Sequence, residues 1–314
     1  MSMTAYVARR LWQMLPTMAG VILLVFFLFN WVGGDPAYVL AGLMSNQEQI
    51  ESIRTALGLN EPLYVQLWIF VKQVATFDFG ASWTTGEPVA QLFASRLPAS
   101  LTLMLPLLVI ETMVCLVLAV GLSWVRGSRI DRGVMVFFTL LMSVSILVFI
   151  IVGQYLLAYR WGLFPVQGWG DGLWKNLSTY APLPILLGLL VGVAPHTRLF
   201  RTFVLDEVDQ DYVRTARAKG LSEARVMFVH VLRNALIPVI TFVISNIPGL
   251  LLGAFLLERF FGIPGVGREI ILAVERSDFP VIKAVTVYVA LATMVFNLMG
   301  DLLYRLADPR VQLR

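Results

Sequence analysis

Six stretches of this 314-residue chain are apolar over lengths that a water-soluble core has little use for. A helix needs about 20 apolar residues to cross a hydrocarbon layer about 30 Å thick, because each residue rises about 1.5 Å. Residues 11–32 carry no charge, residues 101–125 carry only Glu111, and residues 133–159 carry none. Residues 181–197 form a shorter run, which reaches full length by continuing through Arg198 and Arg201, whose aliphatic stems can snorkel toward headgroups. Residues 235–257 are uncharged, and residues 284–300 are followed by Asp301, Leu302, Leu303 and Tyr304, enough to finish a span at an interface. A helix satisfies its own backbone hydrogen bonds in lipid, so the sequence predicts an all-α integral membrane protein with six transmembrane helices. The composition agrees: 58% hydrophobic residues against 14% charged leaves too little polar surface to enclose a soluble core.

Several kinds of chemistry are excluded or disfavoured. None of the four lysines, Lys72, Lys175, Lys219 and Lys283, follows a glycine, so the Gly-Lys-Ser/Thr of a nucleotide-binding P-loop is missing. The single Cys115 has no internal disulfide partner and sits in an apolar run, where packing is the expected role. With only His196 and His230, no histidine metal cluster is expected, and the spans contain no paired aspartates or Ser-His pair that would suggest an intramembrane enzyme. The first run is read as a retained span, because it is longer than a signal-peptide core and residues 30–36 offer no small-x-small cleavage site.

Basic residues set the expected orientation. With the amino terminus in the cytoplasm, fifteen of the 24 basic residues fall on that side, and the other nine are spread over longer loops. The positive-inside rule then places both termini in the cytoplasm. The chain divides into an amino-terminal segment 1–10, a first span 11–32, an external loop 33–100 and a core 101–314. Within the external loop, Ile50, Ile53 and Leu57, and then Leu67, Val71 and Val74, keep helical spacing, so two surface helices are expected.

The cytoplasmic stretch 203–233 is too charged to enter lipid and too patterned to be a linker. Val213 and Ala216 keep helical spacing up to Gly220, a residue that tolerates the left-handed end of a helix. Ser222 is expected to cap a second helix leading to the fifth span. The result is a helix, a glycine corner and another helix, which could rest on headgroups or dock a cytosolic partner.

The run Asp211, Tyr212, Val213, Arg214, Thr215, Ala216, Arg217, Ala218, Lys219, Gly220, Leu221, Ser222, with His230, Arg233, Asn234, Ala235, Leu236 and Pro238 behind it, resembles the EAA-type loop of ABC-importer permeases of the peptide and nickel branch, the DppB/OppB type. Arg214 and Thr215 stand where the general pattern has acidic and alanine residues. The likeness extends along the chain through Tyr6, Arg9, Arg10, Gly34, Asp35, Pro36, Asp78, Phe79, Gly80 and Ser82. It continues through Glu258, Phe261, Pro264, Gly265, Gly267 and Asp278 to Asp301, Leu302, Tyr304, Asp308, Pro309 and Arg310.

The resemblance implies the type I importer fold and a non-enzymatic subunit that pairs with a homologous permease. It also implies two cytosolic ATPases holding ATP and magnesium, with no cofactor in this chain, and a separate solute-binding protein. Di- or oligopeptides are the implied cargo, with nickel chelates as relatives of that branch. Asp211, Tyr212, Arg214, Ala216, Arg217, Lys219, Gly220, Leu221 and Ser222 would couple to the ATPases, Ala216 as a small contact permitting close approach and Gly220 as the corner.

Other residues are singled out by the membrane itself. Glu111 must be protonated, paired or wet inside a span, and is read either as a path or gate residue or as a bond to a neighbouring helix. Asn246, Pro248 and Asn297 are weighed as path residues alongside it. Ser245, Gly249 and Gly253 form a small-residue stripe for helix packing, with Gly188 and Gly192 as a rival seam. A different class, an ion-coupled secondary transporter using Glu111, predicts transport by the isolated chain under a proton gradient. The charge asymmetry predicts that Ser222→Cys reacts with a membrane-impermeant thiol reagent only from the cytoplasmic side of sealed vesicles; labelling from the other side reverses the topology.

Overall fold

The computed structural model of the chain describes residues 3–31, 35–41 and 46–307. Gly33, Gly34, Asp308, Pro309 and Arg310 lie outside the described residues. α1 (Met3–Trp31) is followed by three short helices, α2 (Pro36–Ala41), α3 (Gln47–Ala56) and α4 (Leu63–Thr76), and then by α5 (Val89–Trp124). α6 (Arg129–Met142) and α7 (Ile146–Gly153) come next, the latter running on through a π-helical stretch to Arg160. A short α8 (Leu173–Lys175) leads to α9 (Pro182–Val208), α10 (Asp211–Ala218) and α11 (Glu223–Arg225). α11 continues through π-helical Val226–Val231 into α12 (Leu232–Leu252), followed by α13 (Phe255–Phe261), α14 (Val266–Glu275) and α15 (Phe279–Ala307). Among the described residues the fold is all-α, with one isolated bridge between Ala81 and Pro88.

Among the described residues, five helices are long and apolar enough to cross a membrane, and a sixth crossing arises if α6 and the α7 helix count together. These two are bent by 88°, so the expected single span over residues 133–159 is broken. The break falls where Ser143 Oγ donates to the Thr139 carbonyl and Ser145 Oγ accepts from the Leu147 amide. Serine side chains thus give the backbone an alternative to continuing the helix. The fifth span also differs from expectation, ending at Leu252 rather than 257, because Gly253 takes φ +69° and turns the chain into α13. α5 begins at Val89 and takes in the last part of the stretch read as external loop. At about 1.5 Å per residue it is longer than a bilayer core and stands out beyond it.

The two ends of the bundle are distinct. At one, here the connector end, α1 and α15 are knotted: Tyr6 OH donates to Asp301 Oδ2 at 2.9 Å, and Arg10 reaches both Tyr6 OH at 2.8 Å and Asp301 at 2.7 Å. Arg126 below α5 pairs with Asp209 below α9, and Arg201 of α9 donates to Asp131 of α6 at 2.9 Å. α10 lies at this end, beyond the last turn of α9.

In the middle, α5 and α9 pack closely because α9 presents glycines. A methyl group on Gly188 would sit 2.8 Å from Leu107 Cδ2, and one on Gly192 would overlap the Glu111 carboxylate. This pair therefore packs helices within the chain, and Gly153 does the same against Leu187.

At the opposite, cap end, α13 and α14 fold back as a helical pair organised by a fully buried carboxylate. Glu258 accepts from Ser100 Oγ at 2.7 Å and from the amides of Ala254 and Arg268 at 3.2 and 2.9 Å. Ser100 Oγ in turn accepts from the Val266 amide at 2.8 Å. Gly253, Gly265 and Gly267 wrap the carboxylate, which occupies the space that their side chains would need. Gly253 consequently does not extend the stripe of Ser245 and Gly249: it lies at the helix end and cradles Glu258. Burial pushes the Glu258 carboxyl above the usual carboxylate range, while the donors around it pull the other way. Nearby, Asp278 is buried and accepts from Ser82 Oγ and from the amides of Trp83 and Thr84, tying residues 82–84 to the start of α15.

Glu258→Gln turns one acceptor oxygen into a donor that faces backbone amides. It is expected to cost about 2–3 kcal/mol, read as a lower unfolding temperature of the purified protein, with Asp at the same position failing to restore it; an unchanged midpoint would remove the clamp from this account.

Candidate functional site

The isolated carboxylate of the second span has a partner that the spacing of residues within any one span does not reveal. Glu111 on α5 and His196 on α9 meet at 2.6 Å, Oε1 to Nδ1, over the gap left by Gly192. Glycine four residues before histidine puts both on one face of α9, so the missing side chain admits the acid to the imidazole. The pair borders a cavity of ≈210 Å³ where α5, α9 and α12 converge, with Thr112, Phe242, Asn246 and Gly249 among its walls. Phe242 packs edge-on to the His196 ring with centroids 5.0 Å apart. The Asn246 amide donates to the Phe242 carbonyl at 2.8 Å, leaving its oxygen free to accept. This is a largely apolar recess opening toward the exposed side of α12, in which Glu111, Thr112, His196 and Asn246 supply the polar groups that could bind a hydrogen-bonding ligand.

The other sequence-singled positions distribute unevenly. Pro248 is buried beside the pocket on α12, whereas Asn297 is exposed on α15 and is not brought to the pocket. Ser245 and Gly249 are exposed, and Gly249 has open space where a side chain would be. That face of α12 is therefore unused by packing within the chain. Cys115 is fully buried, its thiol directed at the Val193 carbonyl.

At the connector end, α10 forms a polar elbow. Its buried side is Val213 and Ala216, which join a core with Phe200, Val204, Val226 and Met227. Ala216, expected as a contact for a partner, instead faces the chain's own interior. The outward stripe is Asp211, Arg214, Thr215 and Ala218, at spacing that keeps one helical face. Thr215 and Ala218 were not singled out by sequence, although the positions of Val213 and Ala216 define the opposite side and imply them.

Beyond Lys219, Gly220 takes φ +77° and the chain turns. Arg217 clasps the far side of the corner, donating to both Glu223 oxygens at 3.1 and 2.6 Å, and this bond pulls the guanidinium's affinity for its proton up further. Tyr212 donates to Glu207 Oε2 at 2.6 Å, and burial together with that acceptor pushes its hydroxyl up to about 12. Ser222 occupies the N-cap position with its side chain making no cap bond, contrary to expectation, and Leu221 packs at the rim of the same core. From Glu223 the helix runs unbroken to Leu252, so the segment after the corner and the fifth span are one helix.

An all-helical bundle with several apolar crossings, a pocket bearing polar groups between them and a charged elbow at one end is the build of a polytopic membrane transport protein. Residues 116–313 match the family described as binding-protein-dependent transport system inner membrane component, and residues 3–104 match its amino-terminal domain. The chain belongs to this family, as a permease of the DppB/OppB type found in ABC importers. A putative peptide transport system permease protein of Brucella abortus (strain 2308) is 36% identical over 315 residues, covering 99% of both chains. The dipeptide transport system permease protein DppB of Lactococcus lactis subsp. cremoris (strain MG1363) is 34% identical, covering 99% of this chain and 100% of its own. The oligopeptide transport system permease protein AppB of Bacillus subtilis (strain 168) is also 34% identical, over 99% and 100%.

Gly192→Ala drives a methyl group into Glu111 and separates it from His196. It is expected to lower uptake by the reconstituted transporter at least as much as Glu111→Gln, which is itself expected to alter uptake or its pH response. Wild-type uptake by both variants at every pH would reduce the pair to packing.

Proposed function

We propose that this chain forms half of the translocation path of an ATP-driven importer, alongside a homologous permease, and is driven by two cytosolic ATPases that grip α10. One observation carries the reading. The exposed face of Asp211, Arg214, Thr215 and Ala218 belongs to a helix whose opposite face is packed into the bundle and whose corner is clasped to the fifth span. A displacement applied to such a face is passed to the spans rather than absorbed by a loose loop. The excess of basic residues supports a cytoplasmic connector end and an external cap end.

On this reading, the α13–α14 pair receives the solute-binding protein, and Glu111, His196 and Asn246 face the path. Ser245 and Gly249, left exposed on α12, form the seam with the second permease, where small residues let backbones approach. The cargo is a di- or oligopeptide; the support is that relatives spanning the whole chain are named as dipeptide and oligopeptide permeases.

Gly220→Leu tests the elbow. The space around Gly220 is open, so the cost is confined to placing an L-residue at φ +77°, about 1–2 kcal/mol. The assembled complex is expected to form and hydrolyse ATP while uptake per ATP falls severalfold. Unchanged coupling would overturn the docking role, and uptake by the purified chain alone under a proton gradient would replace it with ion coupling.

A further inference from the structure

A second cavity, larger than the pocket at Glu111, lies among the described residues. A cleft of ≈890 Å³ lies at the cap end, between the last turns of α1, the helices α2 to α4 and the start of α15. Its size falls in the range of about 300–1,000 Å³ usual for small-ligand sites. The wall contains two cationic side chains in different situations. Arg54 is committed to Asp35 in an ion pair. Lys283 has no carboxylate within ion-pair reach among the described residues, and its ammonium instead lies 5.6 Å from the Phe29 ring centroid and 5.5 Å from that of Phe70. Two aromatic faces hold a cation in place without neutralising it. A positive charge one turn inside a membrane-spanning helix is costly unless an anion accompanies it.

The surroundings of the cleft indicate where that anion comes from. Trp31, Leu63 and Ile69 line the cleft and are at the same time exposed, so its mouth opens onto an apolar outer surface. Tyr64 and Trp68 are exposed on the neighbouring turns of α4. Exposed Trp and Tyr beside aliphatic side chains are the signature of the headgroup region of a bilayer. A lysine ammonium is a ready partner for a lipid phosphate. We propose that this cleft binds the phosphodiester headgroup of an anionic phospholipid, with Lys283 as the partner of the phosphate and Trp31, Leu63 and Ile69 flanking the acyl chains. The site is independent of what the transporter carries, and the lipid is a structural ligand that ties α1, α4 and α15 together.

The test uses the assembled transporter in nanodiscs of phosphatidylcholine with phosphatidylglycerol as the minor component, followed by native mass spectrometry of the lipid retained on the protein. Phosphatidylglycerol is expected to be retained in preference to phosphatidylcholine. Lys283→Met is expected to reduce that preference by about fivefold, the effect of one lysine at an anionic lipid. Lys283→Arg should preserve it, as should Lys72→Gln, which removes an exposed lysine of α4 outside the cleft. No enrichment of phosphatidylglycerol on the wild-type protein overturns the proposal without recourse to any variant, as does equal enrichment on a folded Lys283→Met protein. Thermal stabilisation of the wild type by inorganic phosphate in neutral-lipid nanodiscs, lost in Lys283→Met, would assign the site to free phosphate and overturn the lipid.

Discussion

Polar groups that leave the regular helix inside a bundle of this kind have no water to turn to, and each must find a partner within the protein. The fold is arranged around a few side chains that meet this demand. Glu258 gathers the Ser100 hydroxyl and the amides at the start of α13 and α14, and glycines on three sides give it room. Asp278 does the same for residues 82–84 at the head of α15. Without these acceptors the chain between the last two spans would have to run outside the bundle. With them it folds back as helices and closes one end.

The same principle separates the two functional regions. In the middle, Glu111 pairs with His196 across a glycine gap, beside a largely apolar pocket lined by Phe200, Phe242 and Leu107. On α10 the charges are exposed and arranged along one helical face, while Val213 and Ala216 anchor the other. The pocket and the elbow are joined through α12, which borders the first and grows out of the second.

Much of this organisation was legible in the sequence, and what was missed has physical reasons. The long apolar runs marked the spans because a bilayer imposes a minimum length, and the glycine after the charged run marked the corner. The α6–α7 break was hidden because its signal is two hydroxyls in an otherwise apolar run, and only their backbone bonds show that they interrupt the helix. The partner of Glu111 was hidden because it lies on another span, 85 residues away. Ala216, expected as a small contact permitting close approach, suits that role on either face of α10; its burial is decided by packing with Val226 and Met227. Gly253 looked like part of a stripe because four-residue spacing says nothing about where a helix stops.

The position of Gly253 has a mechanical consequence. One unbroken helix begins at Glu223, where Arg217 holds it, and finishes against the acid that pins the far side of the protein. Gly253 ends that helix directly against the Glu258 carboxylate, with no room for a methyl group between them. On the proposed reading, a push on α10 would reach the buried acid through a single rod, either swinging the rod as a strut or loosening the acid from its donors.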